Sequence, residues 1–179
     1  ILKAKGLRVN LSFEFFPPKS EQGLQKLIAV AKKLEQYNPD YFSVTFGAGG
    51  STTDLTLNTV KTLQQNTKTP ICPHISCIAS SKSQLQALLD QYQELGITNI
   101  IALRGDLPSG SGMGSSEFTY ASDLVAWIKS EYADQFKIHV AAYPEVHPES
   151  QSMRSDIMHF KNKCAQGAAS AITQYFFNA

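Results

Sequence analysis

The sequence predicts an α/β fold on a parallel sheet, a (β/α)8 TIM barrel with about six of its eight β/α units present. Three observations predict it. Short apolar runs rich in β-branched and aromatic residues alternate with longer stretches of helical period, one pair in about every thirty residues. Polar residues collect at the carboxyl ends of those runs, where both barrels and doubly wound sheets keep their functional groups. The first run ends in Phe15-Phe16-Pro17-Pro18, which cannot form the GxGxxG turn of a doubly wound nucleotide fold, so the barrel is favoured.

The elements follow in order. A strand is expected over Val9–Phe16, then a helix whose Leu24, Leu27, Ile28, Ala31 and Leu34 share one face. Further strands are expected over Tyr41–Phe46 and Ile71–Ile75. Leu85, Leu88, Leu89, Tyr92 and Leu95 form the next helical stripe, with Ser81 and Gln84 at capping-box spacing before it. Gly96 marks that helix's end and Asn99–Leu103 the next strand. A long loop, Arg104–Thr119, carries Gly105, Gly110, Gly112 and Gly114, and a loop of such length in a compact domain is often functional. The strand Ile138–Tyr143 precedes a third stripe, Met153, Ile157, Phe160 and Cys164, which Gly167 closes before a last strand over Ala171–Phe177. No low-complexity segment, linker or repeat interrupts the series. Residues 1–179 therefore read as a single barrel domain, expected to be truncated at its carboxyl end.

Composition narrows the function classes. Hydrophobic residues make up 42% and charged residues 17%, and the net charge of +1 is spread along the chain. That balance gives no reason to expect nucleic acid or an acidic membrane as partner. Three cysteines suit a reducing compartment better than a disulfide framework. No apolar run nears the ~20 residues of a membrane span, and no secretory signal is visible, so the cytoplasm is the expected location.

The strand ends carry Glu14, Thr45-Phe46-Gly47, His74, Arg104-Gly105-Asp106, Tyr143 with His147, and Gln174. Leu11, Phe13 and Phe15 share one face of the first strand, and Ser12, Glu14 and Phe16 the other. With the first set against helices, Glu14 points into the barrel among aromatics. Desolvation there would raise its pKa and ready it as an acid; pairing with a buried Arg or Lys is the equal alternative. The run Phe46-Gly47-Ala48-Gly49-Gly50-Ser51 either cradles an anion with its amides or is only a strand-to-helix turn. Cys72-Pro73-His74-Ile75-Ser76-Cys77 lacks established zinc spacing and a second ligand pair, so no metal is expected and His74 reads as a hydrogen-bonding strand-end residue. Arg104 and Asp106 either serve a site or pair with each other. Asp156, His159 and Lys163 lie on one helical face, either a solvated face or a contact to a cofactor's phosphate or ribose.

The strings SFEFFPPK at Ser12–Lys19, SVTFGAGG at Ser43–Gly50, PHISC at Pro73–Cys77, NIIALRGDLP at Asn99–Pro108, AAYPEVHPE at Ala141–Glu149 and AITQYFF at Ala171–Phe177 resemble, in that order, the methylenetetrahydrofolate reductases. The resemblance implies a β/α barrel binding FAD at the carboxyl ends of its strands. NADH or NADPH would reduce the FAD and leave, and the folate would follow on the same face. It implies that Glu14 is the general acid opening the folate's five-membered ring, and that Asp106 lies near flavin and pterin. Thr45 and Gln174 would touch reductant or folate. Phe46, Ala48, His74, Arg104, Gly105, Tyr120, Ala121, Tyr143, His147, Ser150, Asp156 and Lys163 fall where the family contacts FAD, with Arg104 and Lys163 suited to its pyrophosphate. His159 and Asn162 occupy flavin-contact positions that vary among relatives. A homo-oligomer is expected for the full-length protein, and the isolated 179 residues are expected to be inactive.

Overall fold

The computed structural model describes residues 10–46, 50–78, 80–105 and 117–177, with the backbone alone for 50–52. The elements run β1 (Ser12–Phe15), α1 (Glu21–Leu34), β2 (Tyr41–Val44), α2 (Gly50–Asn66), β3 (Ile71–Ser76), α3 (Lys82–Glu94), β4 (Asn99–Leu103), α4 (Ala121–Tyr132), β5 (Lys137–Ala142), α5 (Met153–Ala165) and β6 (Ser170–Thr173). A 3-10 turn, Glu35–Tyr37, follows α1. The six strands lie in one sheet in sequence order, each pairing parallel with the next.

Register divides the residues between two faces. Glu14 pairs with Ser43, Ser43 with Cys72, His74 with Ile101, Ile101 with His139, and His139 with Ser170, so these share one side. The opposite side carries Phe15, Phe42, Val44, Ile75, Ile100, Ile138 and Val140, all buried in the core. Helices supply the other half of that core through Ala31, Leu63, Leu85, Leu89 and Leu124. The sheet is curved toward its polar face: the rings of Tyr41 on β2 and His139 on β5 stack at 6.2 Å. Three strand spacings in a flat sheet would hold them roughly 14 Å apart. Six parallel strands with alternating helices and this curvature make a partial (β/α)8 barrel.

Local signals explain the helix ends. Ser20 Oγ accepts the Gly23 N–H at 3.1 Å ahead of α1. The expected capping box forms ahead of α3, with Ser81 Oγ accepting from Gln84 N–H (3.3 Å) and Gln84 Oε1 accepting from Ser81 N–H (2.9 Å). Gly96 and Gly167 both take left-handed φ, 71° and 107°, just after their helices.

Two expectations about strand ends need correction. Strands β1 and β2 stop short of Phe16 and Phe46, and Val9 lies outside the described residues. Phe16 cannot extend β1, because Pro17 and Pro18 beyond it have no N–H to pair. Strand β6 ends at Thr173 rather than Phe177. Its partner β5 ends at Ala142, opposite Thr173, and turns away through Tyr143-Pro144, so only Gln174 N–H still reaches Ala142 O, at 2.9 Å. The stripe Met153, Ile157, Phe160 and Cys164 lies on α5 as expected, and that helix buries none of its residues. It packs on α4 on one side, and among the described residues no helix covers the other. No helix among the described residues is long and apolar enough to cross a membrane.

Candidate active site

Glu14 stands on the polar face of β1 with two neighbours. Its Oε2 lies 3.2 Å from His74 Nε2 on β3 and 3.5 Å from Ser43 Oγ on β2. The close polar contact of His74 holds the Glu14 carboxyl below its usual range, against desolvation that pulls the other way. This corrects the expected upward shift. The Glu14 side chain is half exposed on the open side of the sheet, so burial is the weaker influence, and its partner is an imidazole rather than an Arg or Lys. The His74 ring is nine-tenths buried, and its Nε2 lies off the line of an aligned hydrogen bond to Glu14. A buried donor set at the carboxyl end of β3 is thereby left without a well-directed acceptor.

The end of β4 is pinned by β3. The Arg104 carbonyl accepts from Ser76 Oγ–H at 2.8 Å, Ile78 N–H at 2.9 Å and the Cys77 thiol at 3.6 Å. Gly105 follows with φ +88°, and a Cβ there would meet Ser76 Oγ at 2.1 Å. Only glycine fits that turn. The Arg104 guanidinium reaches across to the β5–α5 loop, with Nη2 at 2.5 Å from Glu149 Oε2. Glu149 is the ion-pair partner described for Arg104; Asp106 and Ala48, and with Asp106 the alternative pairing to Arg104, lie outside the described residues. Burial raises the Cys72 and Cys77 thiols to about 12 and about 11, which keeps them protonated and poor as ligands.

The β5–α5 loop gathers the next group. The rings of Tyr143 and His147 meet edge to face at 4.5 Å. The Glu149 N–H donates to His147 Nδ1 at 3.1 Å, and the His147 N–H donates to Asp156 Oδ2 at 3.4 Å. Lys163 folds back from α5 so that Nζ donates to Ala141 O on β5, and burial lowers its pKa. His159 packs its ring on Tyr120 at 5.1 Å. Lys163 thus ties α5 to β5 and Asp156 ties it to the β5–α5 loop, while His159 stays exposed beside Tyr120. Ser150 Oγ bonds Ser155 Oγ at 2.9 Å, at the amino end of α5.

Other expected residues occupy the same end of the sheet without joining these groups through their side chains among the described residues. Thr45 N–H donates to Phe15 O at 3.0 Å, and Phe46 packs half-buried on the core. Ala121 begins α4. Asn162 is exposed on α5, and Gln174 is exposed after β6. Ser43, Ser76 and Glu149 belong to the site and were not singled out by sequence reasoning. All three lay within quoted motifs, but the roles of Ser43 and Ser76 become visible only through strand register and the β3–β4 contact.

The methylenetetrahydrofolate reductase family model matches residues 2–179. The chain belongs to the methylenetetrahydrofolate reductase family. It is 43% identical over 171 residues to the 5,10-methylenetetrahydrofolate reductases of Pectobacterium carotovorum and Escherichia coli K12, covering 96% of this chain and 56% of each relative. It is 37% identical to methylenetetrahydrofolate reductase 1 of Schizosaccharomyces pombe, covering 96% of this chain and 29% of that one. The chain therefore spans about half the length of the bacterial relatives. Among solved structures, a phosphonopyruvate hydrolase superposes with a TM-score of 0.64 at 12% identity, over 93% of this chain and 58% of that one. A Ruminococcus gnavus sialic acid aldolase does so at 0.56 and 12%, over 93% of this chain and 54% of that one. At such identities the likeness concerns the fold alone.

Proposed function

We propose that the protein is an oxidoreductase that reduces 5,10-methylenetetrahydrofolate to 5-methyltetrahydrofolate, with NADH or NADPH as reductant and FAD as bound cofactor. The observation that carries this reading is the Glu14–His74–Ser43 group at the barrel mouth of a family member.

The residues present suit a dinucleotide flavin. His74 offers a buried donor without an aligned acceptor, and Tyr143, His147 and Tyr120 offer ring surfaces. Arg104 and Lys163 supply cations for the pyrophosphate, and Gly105 lets the β4 turn pass close by. Asp156 and Ser150 are the polar contacts available to a ribityl or ribose hydroxyl. Bound FAD would supply hydride storage, which no side chain provides. Thr45, Asp106 and Gln174 are assigned to the folate or nicotinamide.

Glu14 is ionised in the uncovered site because His74 favours its charged form. A folate ring laid over the mouth removes the water from its exposed half, and desolvation then drives the carboxyl upward until it holds a proton. His74 and Ser43 keep that carboxyl aimed at the mouth while this happens. Protonated Glu14 can then assist departure of the ring nitrogen when the five-membered ring opens.

Rapid mixing of Glu14→Gln protein tests the assignment. Flavin reduction by NADH should keep its parent rate, while folate-dependent reoxidation slows about 10²–10⁴-fold, the usual weight of a general acid. Reoxidation at the parent rate would remove Glu14 from the chemistry.

A further inference from the structure

We propose that Glu149 is an internal competitor that tunes flavin affinity: its carboxylate occupies the position on Arg104 that a flavin's phosphate takes, so it weakens phosphate-bearing flavins and leaves riboflavin untouched. The inference rests on the flavin reading above and adds a role that the reading does not contain.

Three features carry it. Arg104 leaves β4 with its backbone carbonyl fixed by Ser76 and Ile78, so the guanidinium starts from a rigid point. The Arg104 side chain is three-quarters buried, and its Nη2 lies 2.5 Å from Glu149 Oε2. The Glu149 side chain is otherwise half exposed, with Arg104 as its main partner and His147 as a lesser electrostatic neighbour. The loop is shaped to bring it there. Glu149 N–H is held by His147 Nδ1 at 3.1 Å, and Ser150 N–H bonds His147 O at 2.9 Å, a tight turn anchored in its turn on Asp156.

Carboxylate and phosphate present the same kind of oxygen edge to a guanidinium, and a phosphate carries the greater charge. A phosphorylated ligand can therefore displace Glu149, which swings into solvent, whereas an uncharged ligand cannot. Until then Glu149 keeps Arg104 extended across the mouth and neutralised. The arrangement weakens phosphate binding somewhat and leaves the binding of neutral ring compounds unchanged.

The test is fluorescence titration of the purified protein with riboflavin, FMN and FAD, comparing parent, Glu149→Gln, Arg104→Ala and the double variant. Glu149→Gln keeps the side chain's length and loses its charge. FAD, FMN or both should bind roughly threefold to fivefold more tightly to it, the scale of one exposed ion pair, and the gain should shrink with added salt. Riboflavin affinity should not change, and in the Arg104→Ala background Glu149→Gln should have no effect. A gain shared equally by riboflavin, a loss for all three flavins, or a gain that survives Arg104→Ala would overturn the proposal. Failure of the parent protein to bind any flavin would instead overturn the functional reading, and this inference with it.

Discussion

Gly105→Ala makes two demands on the end of β4. An L-residue at φ +88° leaves the ordinary backbone regions, which costs roughly 1–2 kcal/mol. The new Cβ also falls 2.1 Å from Ser76 Oγ, so that hydroxyl must rotate and give up its 2.8 Å bond to Arg104 O. Losing the bond adds about 0.5–1.5 kcal/mol, giving a total of about 1.5–3.5 kcal/mol. Ser76→Ala removes the obstructing hydroxyl, and the next contact, Ser76 Cβ at 3.4 Å, is ordinary packing. In that background Gly105→Ala should cost only its backbone share. Urea unfolding of the four proteins measures the cycle, and a coupling of about 0.5–1.5 kcal/mol between the two sites is expected. A cost well under 1 kcal/mol for the single variant, or equal costs in both backgrounds, would refute the idea that Ser76 and Gly105 jointly set this turn.

Removing the imidazole with His74→Ala should let the Glu14 carboxyl rise toward its ordinary value of 4.5, followed by carbon-13 NMR of the glutamate carboxyls; an unmoved titration would deny His74 its influence. Glu14's contribution to stability should be present above that ordinary value and fade as pH falls through its lowered folded value. Burial, helped by Lys137, holds His139 below 6.5, and its ring is packed between Tyr41, Asn99 and Ser170. The unfolded chain then binds the extra proton first, so stability should be whole above 6.5 and fall as pH drops through the folded value. Melting curves from neutral to mildly acid pH should show that loss, and His139→Gln should flatten it. Leu89, fully buried on α3, should lose about 2–5 kcal/mol on truncation to alanine, read by urea unfolding.

Much of the frame was legible because the signals were local. Strand β4 begins and ends where the apolar run does, and α3 starts at the Ser81 capping box. The third apolar stripe was placed correctly on α5, but its exposure was not legible, since burial depends on a neighbour and not on periodicity. Glu14 shows the same limit. Strand alternation put it on the polar face, yet its pKa follows from His74, sixty residues on (14 to 74), and from how open the sheet is. The partner of Arg104 was equally non-local: Glu149 reaches it only because the β5–α5 loop folds back on the end of β4. The early strand ends reflect the prolines, at Pro17 for β1 and, through its partner β5, at Pro144 for β6.

The most direct test of the central claim is an anaerobic absorption spectrum of the purified protein at its full natural length, taken alone, after NADH or NADPH, and after methylenetetrahydrofolate. A flavin band that bleaches with the nicotinamide and returns with the folate is the expected result. A band that bleaches but stays bleached with the folate, or a protein with no affinity for flavin, would contradict the account.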